Sequence, residues 1–176
     1  MTIDKQIQIA LVGLVICLCA CTVRHMQPSS PLPRQSRWVV LPVVNLAEAP
    51  LAGEKVESLL DNALRLHGLK NLGRMSLSGP QADDLLLSDQ RRYELALESA
   101  RKEGAGFAVS GSVQEWRYKT GLDGEPAVGL TLQVVELPSG RVLWTASGAK
   151  TGRGYANVSG TAQKLIAELL EGLTLQ

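Results

Sequence analysis

Two acids set two residues apart in the stretch WRYKTGLDGEPAV, residues 116 to 128, are the chain's clearest candidates for chemistry on a polar substrate. Asp123 and Glu125 could serve as acid and base on a glycosidic bond only if their carboxyl groups were held in a fixed relation, about 5 to 10 Å apart. Gly121 and Gly124 loosen the backbone on either side of Asp123. A glycan-trimming enzyme is therefore the weakest of the readings. Asp83 and Asp84 follow a proline, where paired acids solvate a surface or begin a helix. His25 lies in a proline-rich stretch, and His67 falls beside a predicted helix C-terminus, a capping or surface position. No glycine-rich stretch has the spacing of a phosphate loop or of a G-x-S-x-G nucleophile elbow. Catalytic groups, a metal site and a cofactor site are all without a sequence signal.

The three cysteines point to chemistry of another kind. Ile7 to Leu18 is an almost wholly apolar run of twelve residues behind Lys5. That is too short to cross a bilayer as a helix and has the length of a signal-peptide h-region. Leu18-Cys19-Ala20-Cys21 follows in register and resembles the bacterial lipobox. A signal peptide with incidental cysteines would have no need of Cys at that position. Residues 1–20 are thus expected to leave as a lipoprotein signal peptide, with Cys21 taking the diacylglycerol. Cys17 and Cys19 depart with the signal and the Cys21 sulfur is alkylated, so no thiol remains for a disulfide, a Cys/His pair or a zinc site. Several acyl chains on one residue anchor stably where a single chain would be marginal. Thr22 stands where an inner-membrane retention signal would place aspartate, so the expected location is the outer membrane, lipid-anchored and facing the periplasm of a Gram-negative bacterium.

A formal net charge of +1 over 176 residues argues against a dedicated nucleic-acid binder and suggests one domain. Residues 21–37 hold three prolines and three serines without an apolar period, which reads as an extended tether from the lipidated Cys21. The domain is expected over 38–176. WVVLPVVN from Trp38 is a strand apolar on both faces, with Pro42 marking an edge, a bulge or a strand end. Val56, Leu59, Leu60, Ala63 and Leu64 recur at helical spacing before Gly68, a C-cap glycine. LKNLGRMSL is readable as a short strand and SGPQADD as a loop. A second helix has Ser88 as N-cap, a face of Tyr93, Ala96, Leu97 and Ala100, and Gly104 as its stop. Three consecutive strands follow, over 106–119, 128–136 and 141–148, and a final helix after Ser159 carries Ala162, Leu165, Ile166, Leu169, Leu170 and Leu173. Helices with one apolar stripe laid on a sheet make a two-layer α+β sandwich, here a small, mostly antiparallel sheet with three helices.

Within that frame one hairpin stands out. If the first strand of the meander keeps period two, Trp116 and Tyr118 fall on the face opposite Phe107, Val109 and Val113, where a neighbouring subunit or a membrane would have to cover them. A β-bulge near Gln114 would instead return them to the core. Trp144, beside Val142 and Ala146, belongs to the core or to a subunit interface. The loop Lys119 to Pro126 is longer than a tight two-residue hairpin turn. In a ring of identical copies its two acids would repeat around the axis and focus a negative potential in the opening.

The lipobox, the proline-rich segment, the element order, SVQEWRYKTGLDGEPAVGLTLQVVELPSGRVLW and the closing SGTAQKLIAELL together resemble the PelC family, outer-membrane lipoproteins of Pel exopolysaccharide export systems. The likeness covers essentially the mature domain, with EWRYKTGLDGEPAVGL its most specific part. The wider fold resembles TolB N-terminal-like domains and the lipoprotein activator LpoB, and fold alone does not name a function. The resemblance implies a homo-oligomeric ring, a dodecamer, on the periplasmic side of the outer membrane, working with a PelB-like β-barrel and TPR protein. It implies an electronegative funnel for a cationic amino-sugar exopolysaccharide, with Asp123 on the acidic inner surface by motif match and Glu125 beside it. It also implies an aromatic against outer-membrane lipid in the loop before the last helix. KTGRGYANVSG departs by having no tryptophan there and offers Arg153 and Tyr155 as the membrane-facing pair. Trp116, Tyr118 and Trp144 become expected subunit-interface residues. An LpoB-like tethered activator of a cell-wall synthase is the alternative, and it would need a long free tether.

Overall fold

Apolar runs punctuated by turn residues build seven strands and three helices in the computed structural model, which describes residues 22–75, 88–120, 124–153 and 155–176. Residues 1–21, with the signal segment and Cys21, lie outside the described residues, as do Asp83, Asp84, Gly121 and Asp123. In chain order the elements are β1 (Thr22–Met26), β2 (Trp38–Val40), β3 (Val44–Asn45), α1 (Ala52–Leu66), β4 (Leu72–Arg74), α2 (Asp89–Lys102), β5 (Phe107–Tyr118), β6 (Pro126–Glu136), β7 (Arg141–Thr151) and α3 (Val158–Leu170). The strands form one sheet ordered β1-β7-β6-β5-β2-β4, with β3 beside β5. The β5-β6-β7-β1 half is antiparallel, while β2 runs parallel to β4 and β5, and β3 parallel to β5. The α+β class therefore stands, on a mixed sheet.

Alternation along each strand decides where the helices go. Val40, Val113, Leu130, Leu132 and Val134 point to one face, where Val56, Leu60 and Leu64 of α1 and Leu165, Ile166 and Leu169 of α3 close over them. Each such side chain, fully withdrawn from water, contributes about 1.5–3 kcal/mol. β2 is apolar on both faces, as its sequence requires. Val39 and Leu41 turn the other way and, with Ala108 and Leu137, meet Ala96 and Ala100 of α2. The second helix thus adds a third layer over the β2 side of the sheet, where the sequence suggested two layers only. Its reason is the small, alanine-lined stripe of α2, which fits closely over β2 and the start of β5.

The segment expected to be an extended tether is, over residues 22–34, bonded to the domain. β1 pairs in register with β7 from Thr22 opposite Lys150 to Met26 opposite Ala146. Beyond it, Ser29, Leu32 and Arg34 donate backbone N–H groups to the carbonyls of Gly172, Thr174 and Gln176, each at 2.9 Å. The Trp144 indole N–H donates to the Gln27 carbonyl at 3.1 Å, and Trp38 to that of Pro33 at 3.0 Å. The three prolines do not prevent this, because Pro28, Pro31 and Pro33 each precede a residue that donates. Their missing N–H groups fall where none is needed.

Pro42 ends β2, and the first free N–H after it, that of Val43, is received at 3.0 Å by the buried carboxylate of Glu57 on α1. Glu57 also pairs with Arg74 of β4 at 3.1 Å. The helix start lies so close that a Cβ at Gly53 would overlap the Val43 carbonyl oxygen. Ser88 Oγ caps α2 as expected, accepting from Arg91 N–H, and Asn157 Oδ1 caps α3, accepting from Gly160 N–H at 2.7 Å.

Candidate functional site: the β5–β6 hairpin and its neighbours

The β5–β6 hairpin is shaped by one extra residue. Val113 pairs with Leu130 and Glu115 with Gly129, so Gln114 is a bulge with no partner of its own in the ladder. Its side chain is held outward by hydrogen bonds to Ser112 Oγ at 2.7 Å and Thr131 Oγ1 at 3.0 Å. Parity changes across the bulge, and Trp116 turns into the core at 7% exposure. Trp144 is buried in the same core. Both were expected at a subunit interface, with the core as the alternative reading, and a single copy already buries both in its own core. Tyr118 shares the face of Trp116 but stands beyond the helices, 54% exposed.

Past Tyr118 the hairpin closes through Lys119 N–H to the Glu125 carbonyl at 2.8 Å, and Gly124 takes a left-handed φ of 50°. Glu125 is half-buried at the base of the loop, and Arg117 pairs with Glu115 at 2.8 Å beside it. The position of Asp123 lies outside the described residues.

Register brings three segments to one end of the sheet. Tyr118 is opposite Pro126, Ala127 opposite Thr151, and Lys150 opposite Thr22. The hairpin loop, the turn after β7 and the first residue of β1 are therefore neighbours. Gly152 joins two of them, donating to the Pro126 carbonyl at 2.8 Å in a space that a Cβ would fill with clashes against Pro126 and Thr161. Beyond it Arg153 is exposed and Tyr155 projects fully into solvent. Lys150, Arg153, Tyr155 and Lys164 line a cleft of about 340 Å³ at the start of α3. Lys150 donates to Glu168 at 2.6 Å and to Thr22 Oγ1 at 3.0 Å, tying β1 to β7 and α3.

The histidines take structural positions. The Nε2–H of His67 donates to the Leu173 carbonyl at 2.7 Å, and His25 is exposed on β1. Among the described residues no cluster of three His, Cys, Asp or Glu side chains could hold a metal ion. Sequence reasoning missed the buried acid Glu57, whose only prior signal was Pro42 inside an apolar run, and the half-buried Glu168, which left none.

Comparison with known proteins gives a consistent picture. No family model and no curated protein matches the chain. Two solved structures of a PelC dodecamer from Paraburkholderia phytofirmans, one of them a single-substitution variant, are 33% identical to this chain and cover 89% of it and 100% of their own. Their TM-scores are 0.75 and 0.72. Lipoprotein GNA1162 from Neisseria meningitidis shares the fold at 14% identity, with a TM-score of 0.56 over 77% of this chain and 96% of its own.

Proposed function

The chain belongs to the PelC family, and from that premise we propose that it is a non-catalytic component of Pel exopolysaccharide export, lipid-anchored at Cys21 to the periplasmic side of the outer membrane. It works as a homo-oligomeric ring beside a PelB-like barrel. Its role is to guide a cationic amino-sugar polymer toward the exit, for secretion and matrix formation. The observation that carries this reading is 33% identity to a dodecameric PelC over 89% of the chain.

The arrangement of the monomer supports it. β1 starts one residue after Cys21 and is paired from its first residue, so the anchor adjoins the end of the sheet that bears the hairpin loop and the 152–157 turn. Tyr155 and Arg153 suit that end as membrane contacts, an exposed ring at the interface and a cation for lipid phosphate. Glu125 stands at that end, and in this reading it and Asp123 supply the negative charge around the opening where the polymer approaches the bilayer. Repetition around the axis raises their effect, because like charges lining an opening focus the potential inside it. The tethered-activator alternative loses its support, since residues 22–34 are bonded to β7 and to the last residues of the chain and offer no slack.

Secretion of the polymer in cells carrying Asp123→Lys tests the reading. Loss of exported polymer with normal protein level and oligomer mass is expected. Full secretion from Asp123→Lys, and from the double variant with Glu125→Lys, would sink the guiding role.

A further inference from the structure

β3 accompanies β5 only as far as Val113, whose carbonyl accepts from Leu46 N–H at 2.9 Å, and the chain then turns away toward α1. Asn45 holds that turn, its Nδ2 donating to the Ala49 carbonyl at 2.8 Å and its Oδ1 accepting from Ala47 N–H at 3.1 Å. On that side β5 runs on alone to Tyr118. The order of hydrogen bonds in the ladder decides which groups face the vacated lane. Lys119 N–H is taken by the Glu125 carbonyl, so by alternation Arg117 and Glu115 bond to β6, while Trp116 and Tyr118 aim both N–H and C=O the other way. No backbone group among the described residues meets them there. The lane is a cleft of about 690 Å³, walled by residues 46–49 on one side and 114–117 on the other.

Open edges are ordinarily blunted by lysine, proline or a covering loop. β5 carries neither lysine nor proline from Gln114 to Tyr118, and the Arg117 side chain is drawn to Glu115 at 2.8 Å. Leu46 on the cleft wall is 64% exposed, and Tyr118 just beyond the cleft is 54% exposed. Glu48 on the same wall is exposed and has no ion pair among the described residues. With Glu115 and Arg117 balancing each other, the cleft keeps one uncompensated negative charge. Backbone donors and acceptors at strand spacing are matched by another backbone in extended conformation, whose main-chain bonds give affinity while flanking pockets choose the sequence. We propose that this lane receives an extended segment of another protein, about five residues long at ~3.3 Å each, which adds as a strand beside β5. The segment lays an apolar side chain against Leu46 and brings a lysine or arginine to Glu48. This docking does not rest on the polymer-guiding role or on the ring.

Photocrosslinking in cells that make the full chain tests it, with the apolar crosslinker benzoylphenylalanine in place of Leu46. Tyr118→Pro removes an N–H that the β6 ladder does not use, at an edge position where proline is tolerated, so one docking bond goes while the thermal melt stays unchanged. Tyr118→Ser keeps that N–H and removes the ring. The expected result is an adduct whose crosslinked peptide, identified by mass spectrometry, belongs to a different protein and contains a basic residue. Tyr118→Pro and Glu48→Lys lose the adduct, and Tyr118→Ser retains it. Should Tyr118→Pro melt early, Glu48→Lys decides alone. An adduct that survives Tyr118→Pro in folded protein, survives Glu48→Lys, or disappears in Tyr118→Ser overturns the proposal. So does the absence of any adduct. An adduct only between two copies of this chain overturns it as well, and would return Tyr118 to a subunit interface.

Discussion

Lys150 and Thr22 face each other across the β1–β7 ladder, and the lysine's ammonium both donates to the threonine hydroxyl at 3.0 Å and pairs with Glu168 of α3 at 2.6 Å. One cation therefore joins the first described residue of the chain, the edge of the sheet and the last helix. The Lys150 side chain is only 13% exposed, and Glu168 Oε2 is buried with no hydrogen-bond partner among the described residues.

Lys150→Met is expected to destabilise the fold by about 1–3 kcal/mol, less than a fully buried pair because the Glu168 side chain keeps some contact with water. Adding Glu168→Leu should recover much of the loss, since the stranded carboxylate goes with it. Urea unfolding of the two variants checks this, and equal midpoints for the single and double variants would contradict it.

Glu57 receives the Val43 N–H that Pro42 leaves beyond the end of β2, and it balances Arg74. Glu57→Ala strands a buried N–H and is expected to lower stability by about 2–4 kcal/mol. Glu57→Gln keeps an acceptor for Val43 and should lose about half as much. The order of the two denaturation midpoints is the test.

Deletion of Gln114 removes the bulge and makes the pairing continuous, Val113, Glu115 and Trp116 staying opposite Leu130, Gly129 and Val128, so every later residue of β5 keeps its face. Wild-type protein has Trp38, Trp116 and Trp144 all buried, so iodide should quench its fluorescence weakly. The deletion is expected to keep that quenching weak, whereas Gln114→Ala with a second alanine inserted after it should turn Trp116 outward and make one tryptophan quenchable. Strong quenching in the deletion variant would contradict the assigned register.

Tyr93 on α2 has its phenol pKa raised above the ordinary 10.0, first by burial, with Arg101 acting in the opposite sense. A raised folded-state pKa means that the unfolded chain ionises first. Stability from this group is full below about pH 10 and falls as pH climbs through the folded value. Thermal melts between pH 9 and roughly 11.5 should steepen their decline above about pH 10 in wild type, and Tyr93→Phe should flatten that decline.

The three helices were legible because each has an apolar stripe at helical spacing and a cap residue, Ser88 for α2 and Gly68 after α1. Which side of the sheet α2 covers was not. Tyr93, Ala96, Leu97 and Ala100 show that one face is buried but carry no mark of the face they meet, and only the two-sided apolarity of β2 hinted at a layer on each side. Residues 22–37 escaped for a different reason. Their bonds run from the backbone of Ser29, Leu32 and Arg34 to the far end of the chain, and backbone donors leave no pattern in residue types. The bulge at Gln114 was one of two alternatives because parity in a strand cannot reveal its own interruption. In the candidate site, the exposure of Tyr118 and Tyr155 followed from position, while the burial of Trp116 and Trp144 depended on that bulge and on the N-terminal segment.

Pairing along β1 also fixes how a pull on the N-terminus is borne. β1 runs away from the end where the chain leaves toward Cys21, so tension there acts along the strand axis. It loads the ladder to β7 in shear, with the pairs from Thr22 to Met26 and the Lys150 clasp resisting at once. The opposite geometry would peel the same bonds open one by one. A pull along the β1 axis, as the proposed anchor at Cys21 would apply it, therefore meets the attachment in the direction in which it is mechanically strongest.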